Sequence, residues 1–228
     1  MIPALEKRQQ EYRENGLCVI RSFVVKPSAL MNKCQDIIVQ HGTRRKNWKA
    51  GGKHGGPGEE RNYNDWVLHY GGIHRYIIEL AQVYMETTKT IDEVTRRRTT
   101  PSPYGRSAAT LKMYEGVGGE HGWHVESNSV SGVLYLSNHP EEKGDGALEY
   151  CLPKTRSPVY KYWPKAGDLV IMRGHDVWHR VAPMTTNTTR MCAVFNYYHE
   201  GDVDRPDGLD DLHYGSDRTS MEGFRMRY

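Results

Sequence analysis

The chain has 228 residues, a formal net charge of +3 and a hydrophobic share of 37%. That length suits a single domain spanning residues 1–228, and the charge is too mild to imply a nucleic-acid partner by itself. No apolar run approaches the ~18 residues of a membrane span, and the charged start MIPALEKRQQEYREN lacks the apolar core of a secretory signal. Cys18, Cys34, Cys151 and Cys192 are scattered, with no C-x-x-C pair, so they read as reduced thiols of a cytoplasmic protein.

The first part of the chain, about residues 1–100, is helix-rich. PALEKRQQEYRENG reads as a polar helix closed by Gly16, and LCVIRSFV as a strand. KPSALMNKCQDIIVQHG reads as a second helix: Leu30, Met31, Cys34, Ile37 and Ile38 share one face, and Gly42 ends it. Residues 43–63, TRRKNWKAGGKHGGPGEERNY, are basic and Gly-rich without periodicity, which reads as a long loop of the kind that forms lids. GIHRYIIELAQVYMETTKTIDEVT then reads as one amphipathic helix.

From Ala108 the texture changes. ATLKMY, GWHVE, SGVLYLS, GALEY, DLVIM, VWHRVAP and RMCAVFNYY alternate with turn residues, as in a sandwich or barrel of short strands. Helices first and strands second give an α+β class, with helices covering one sheet and a β core at about residues 105–200.

Two side chains two residues apart in a strand point to one face. His124 and Glu126 therefore aim a nitrogen and an oxygen at a common point, and His179 follows about fifty residues later in another strand-like run. Two histidines and one carboxylate are the facial set of non-haem iron(II), which leaves three coordination positions open. Arg190 lies shortly after, with a planar fork suited to a carboxylate. An H-x-x-x-H spacing at His175 and His179 would suit zinc only on a helix, and its flanks are strand-like. Glu120 and His121 read as rim residues of the same region, and Trp123 and Val125 as packing residues.

Over roughly residues 108–199 the chain resembles the iron(II)/2-oxoglutarate-dependent oxygenases of the double-stranded β-helix fold. GDGALEYCLP and WPKAGDLVIMRGHDVWHRVAPM carry the resemblance most clearly, with an echo in NGLCVIRSFV. LKMYEGVGGEHGWHVE and SGVLYLSNHP are similar to the prolyl-hydroxylase-like branch. The resemblance implies Fe(II) held by His124, Glu126 and His179, and 2-oxoglutarate held by Arg190, Tyr114 and Tyr135. It implies O2-dependent oxidative decarboxylation of 2-oxoglutarate coupled to C–H hydroxylation, with desaturation, epoxidation or cyclisation as variants. The family usually has Asp where Glu126 stands, and often Ser or Thr where Cys192 stands.

A small molecule, such as an amino acid or a specialised metabolite, is the expected substrate, since the chain carries little beyond the core fold. Arg44, Arg45, Lys46 and Arg106 are candidate contacts for its acidic group, Arg106 first because it immediately precedes a core strand. A peptide or protein hydroxylase is the alternative. TRRKNWKAGGKHGG and TRRR raise a nucleic-acid-binding module, but acidic residues soon dilute the charge runs. A β-helix that holds metal without turnover leaves Arg190 without a task. No membrane partner is expected, and no oligomeric state is read from the sequence.

Overall fold

The computed structural model describes residues 4–49, 62–139 and 145–202. Helix α1 (Ala4–Asn15) is polar and buries only Tyr12. Gly16 ends it at φ +75°, where a Cβ would lie 2.5 Å from Pro153 Cγ, so the chain can pass there only as glycine. Strand β1 (Leu17–Ile20) follows and is shorter than the LCVIRSFV run. Helix α2 (Pro27–His41) starts on a proline and buries Cys34 and Ile38, on the face that the spacing gave.

The expected loop at 43–63 is corrected at both ends. Thr43–Lys49 is strand β2 and Asn62–His69 is strand β3, paired antiparallel; residues 50–61, and with them the middle of the supposed lid, lie outside the described residues. Hydrophobic period fails to mark β2 and β3 because their polar side chains are satisfied by one another. Arg45 and Asp65 sit opposite in register and are buried, with Arg45 Nε and Nη2 donating to Asp65 Oδ1 and Oδ2 at 2.8 and 2.6 Å. Arg44 lies 5.1 Å from the Trp66 ring centroid and pairs with Glu115.

The expected single helix is two, α3 (Tyr70–Tyr76) and α4 (Ile78–Thr95), broken at Ile77 with φ −134° and ψ 63°. Ile73, Ile77 and Leu80 are all fully buried, so the hydrophobic period runs through a break it cannot reveal. The remaining strands are β4 (Thr99–Pro101), β5 (Ala109–Glu115), β6 (His121–His124), β7 (Val130–Tyr135), β8 (Leu148–Tyr150), β9 (Tyr160–Tyr162), β10 (Leu169–Arg173), β11 (His179–Val181) and β12 (Thr189–His199).

Pairing runs β1-β10-β7-β12-β5-β3-β6-β11-β8-β9, with β2 on β3 and β4 on β12. The path folds into a larger layer up to β3 and a smaller one from β6, joined by the single Tyr63–His121 pair. Alternation sorts the larger layer's side chains. Leu111, Met113, Leu134, Ala193 and Phe195 join Ile38, Ile73, Leu80 and Tyr84 in a core under the helices. Tyr114, Tyr135, Val170 and Cys192 face the other way, toward Leu148 and Val181 of the smaller layer. This is the α+β double-stranded β-helix with helices on one sheet. Among the described residues no helix is long and apolar enough to cross a membrane.

Replacing Asp65 by Ala would leave the Arg45 guanidinium buried without that carboxylate, a change that costs about 3–5 kcal/mol. The Asp65→Ala variant is expected to unfold at clearly lower urea concentration than the native chain, whereas a shift of under ~0.5 kcal/mol would mean that the pair is dispensable.

Candidate active site

Register builds the first half of the site. His179 on β11 stands directly opposite His124 on β6. The Nδ1 atoms of the two rings lie 2.7 Å from the Gly122 carbonyl and 3.0 Å from the Val177 carbonyl, respectively. A carbonyl only accepts, so each Nδ1 carries a hydrogen and each Nε2 is the atom turned to the cavity. Both Nε2 atoms converge on Glu126 Oε1, at 3.5 Å from His124 and 3.7 Å from His179.

Glu126 lies just past the end of β6, so strand alternation alone does not aim it. Its amide donates to the Gly174 carbonyl at 2.9 Å, and the Gly174 amide donates to the Ser129 carbonyl at 2.9 Å. These bonds stitch the segment after β6 to the turn after β10. Gly174 is required there, since a Cβ would come within 2.0 Å of the Asn128 carbonyl oxygen and 3.2 Å of Glu126 Cβ.

One ligand atom from each of His124, Glu126 and His179 can be chosen so that all lie within 4.8 Å of one another. Burial, with the His179 ring beside it, pushes His124 down to about 4, so its imidazole is neutral at pH 7. Burial works against charge on Glu126, but the close approach of the His124 and His179 rings outweighs it and holds the carboxyl well below its usual value. His124 Nε2 is buried without a hydrogen-bond partner among the described residues. Two imidazoles with their Nδ1 atoms turned to carbonyls, converging with a carboxylate, fit a divalent cation of the Fe(II) type.

The second half of the site lies along β12. Arg190 is about 1% exposed, and its guanidinium carbon sits 5.3 Å from the ring centroids of both Tyr114 and Tyr135. Its Nε donates to the Gly146 carbonyl at 3.2 Å and its Nη1 to Cys192 Sγ at 3.5 Å, a weak acceptor. No carboxylate pairs with it among the described residues. Tyr135 Oη is likewise buried without a hydrogen-bond partner. Burial raises both phenols well above the ordinary tyrosine value, so both keep their protons and act as donors. A buried cation with a neighbouring unsatisfied hydroxyl fits a carboxylate, as 2-oxoglutarate would supply.

All six of these residues line one cavity between the layers. Lys112 and His121 line it too. His121, expected at the rim, is a buried wall residue stacked on His124 at 3.9 Å. Lys112 escaped the sequence reading, although its place two residues before Tyr114 on one strand gave the signal. Arg106 lies in the turn before β5, outside the lining residues. Arg45 and Arg44 are tied to Asp65 and Glu115, not left to face a substrate, and the Lys46 side chain lies outside the described residues. His175 is in the turn after β10, so the H-x-x-x-H pair is not on a helix.

Residues 109–198 match the family model described as the 2OG-Fe(II) oxygenase superfamily. No curated protein matches the chain. Among solved structures, the non-heme alpha ketoglutarate dependent epimerase SnoN from nogalamycin biosynthesis aligns at TM-score 0.69 and 12% identity, over 98% of this chain and 91% of that one. SnoN in complex with Fe3+, alpha ketoglutarate and nogalamycin RO aligns at TM-score 0.68 and 13% identity, over 98% and 93%. A Pseudomonas putida prolyl-4-hydroxylase aligns at TM-score 0.56 and 15% identity, over 86% and 97%. At such identities these neighbours speak for the fold, whereas the sequence match covers the strands that carry His124, His179 and Arg190. Over residues 109–198, its β core, this chain is thus similar to the 2OG-Fe(II) oxygenase superfamily.

Proposed function

We propose that the protein is an Fe(II)- and 2-oxoglutarate-dependent dioxygenase that hydroxylates a C–H bond of a small molecule, an amino acid or specialised metabolite. The carrying observation is Arg190, a buried guanidinium with no carboxylate partner among the described residues, in the cavity that holds the His124, Glu126 and His179 cluster. A second reading, a peptide hydroxylase of the prolyl type, is favoured by the likeness to the prolyl-4-hydroxylase fold. A cavity set between the layers suits the small molecule better.

His124, Glu126 and His179 are the metal ligands in this reading. The neutral His124 ring and the ionised Glu126 carboxyl accept a divalent ion without first shedding protons. When bound, iron, 2-oxoglutarate and O2 together supply an oxidation strong enough for an unactivated C–H bond, with succinate and carbon dioxide as coproducts. Arg190 fixes the far carboxylate of the cosubstrate, and Tyr135 donates to the same group. Tyr114 packs on the guanidinium and narrows its freedom. Val133, Leu148 and Val181 supply an apolar lining that keeps bulk water from the reacting atoms. Glu126 fills the position that a halide would need, so hydroxylation is the default outcome. The four cysteines are free and buried, in keeping with a cytoplasmic setting.

Iron-loaded protein given 2-oxoglutarate and O2 is expected to release succinate above background, and Glu126→Ala to abolish it; full activity in Glu126→Ala would remove this carboxylate from the ligand set. Arg190→Met is expected to raise the 2-oxoglutarate concentration for half-maximal rate about 100-fold, by the ~2–5 kcal/mol of a truncated buried charge pair. An unchanged value would place the cosubstrate elsewhere. Gly174→Ala, which forces apart the segment holding Glu126, is expected to lower metal affinity about 10-fold or more, read as metal retained after dialysis; retention equal to the native protein would mean that this turn does not position the ligand.

A further inference from the structure

The segment 182–188, between β11 and β12, leads into Arg190, and one carboxylate grips it from the side. Asp145 is buried. Its Oδ1 accepts from the Thr185 amide at 2.7 Å and its Oδ2 from the Thr186 amide at 2.9 Å, and the Thr186 hydroxyl also donates to Oδ2. Burial works against charge on Asp145, but the donors of Thr186 and Thr185 outweigh it and hold the carboxyl below its usual value. The gripped segment is fastened on its other side too. The Met184 amide donates to the Gly119 carbonyl at 3.0 Å, and the Gly116 amide to the Thr188 carbonyl at 2.9 Å.

The residue after Asp145 reaches the cosubstrate end of the cavity. The Gly146 carbonyl accepts from Arg190 Nε at 3.2 Å. Gly146 lies hard against the His139 ring, where a Cβ would come 2.2 Å from Nδ1. His139 Nε2 is 2.7 Å from Ser137 Oγ, which accepts from the Met191 amide at 2.7 Å. Met191 is the chain neighbour of Arg190. The contacts therefore close a ring, from Arg190 through Gly146, His139 and Ser137 back to β12, and Asp145 bolts that ring to the segment before the strand.

Position along the cavity follows from this ring. The faces of Tyr114 and Tyr135 attract the guanidinium without a directional bond. The Gly146 carbonyl supplies the direction, and a planar guanidinium pinned at Nε presents its other nitrogens in one orientation. A 2-oxo diacid that meets the metal ligands at one end and Arg190 at the other spans a set number of bonds. Groups that recognise such a molecule have to be held to within about 0.5 Å.

We propose that Asp145 is a positioning residue: through the Gly146 carbonyl it fixes the place of Arg190, and thereby the chain length of the 2-oxo diacid that the cavity accepts. The proposal rests on the oxygenase reading above. It gives a carboxylate outside the lining residues a part in a choice made inside the cavity.

The test uses the full chain loaded with nickel(II), which imidazole and carboxylate ligands hold at least as firmly as iron(II), and reads binding by calorimetry. The probes are 2-oxoglutarate, 2-oxopentanoate (the same chain without the far carboxylate) and 2-oxoadipate, one methylene longer. The native protein is expected to prefer 2-oxoglutarate to both others. Asp145→Ala is expected to weaken 2-oxoglutarate about tenfold, the scale of one lost hydrogen bond to a charged group, to leave 2-oxopentanoate unchanged and to narrow the gap to 2-oxoadipate. Asp145→Asn, which keeps one acceptor oxygen, is expected to fall between. A merely structural role would lower the urea midpoint and weaken all the probes alike. That result overturns the proposal, as does native-strength binding of 2-oxoglutarate by Asp145→Ala. Where Asp145→Ala does not fold, Thr186→Val removes only the hydroxyl and is expected to shift the same ratios in the same direction; unshifted ratios there count equally against the proposal. If the native protein binds 2-oxoglutarate no better than 2-oxopentanoate, the assignment of Arg190 falls and the oxygenase reading with it. A native preference that no variant alters sinks only the role of Asp145.

Discussion

Two peptide carbonyls, those of Gly122 and Val177, hold the imidazoles of His124 and His179. Each takes a ring hydrogen at Nδ1, and that leaves both Nε2 atoms aimed at Glu126. The carbonyls are themselves fixed because each belongs to the residue two places before its histidine, Gly122 within β6 and Val177 just ahead of β11. A shift of one residue in the pairing of these strands would turn one ring out of the cavity. The cluster therefore depends on the alignment of a short ladder more than on any bond between the three side chains. Glu126 is aimed separately, by the backbone stitch to Gly174, so the carboxylate and the histidines are set by independent devices.

Along the cavity the wall shifts from a metal-ligating end to a cationic end. Arg190 between two tyrosine rings is held by packing as much as by hydrogen bonds, since one of its two recorded acceptors is a thiol. Packing keeps the guanidinium in place before any partner arrives, and that lowers the ordering cost when one does. The buried Arg45–Asp65 fork stands behind the same wall and keeps its charge to itself.

Much of the site was legible because strand alternation and spacing are local. His124, His179, Arg190, Tyr114 and Tyr135 all line one cavity, and Lys112 obeyed the same rule without being singled out. What was not legible depends on partners distant in sequence. β2 and β3 look like a loop since their stabilising contacts are Arg45 to Asp65 and Arg44 to Glu115, which no periodic pattern announces. The break at Ile77 is hidden because the residue stays in the core while its backbone leaves the helix. The contribution of Gly174 is a close approach between two turns, invisible until the chain is folded.

The pairing of β1 with β10 has a consequence for how the molecule forms. Leu17 lies opposite Met172, about 150 residues further along the chain, and the turn after β10 is the one that holds Glu126 in place. The sheet edge nearest that turn therefore waits for the beginning and the later part of the chain to meet. Topologies dominated by such distant pairings fold slowly, and during synthesis the N-terminal strand has no partner until most of the polypeptide has left the ribosome. The interval in which β1 is unpaired is the interval in which its apolar face, Leu17 to Ile20, is open to the wrong neighbour.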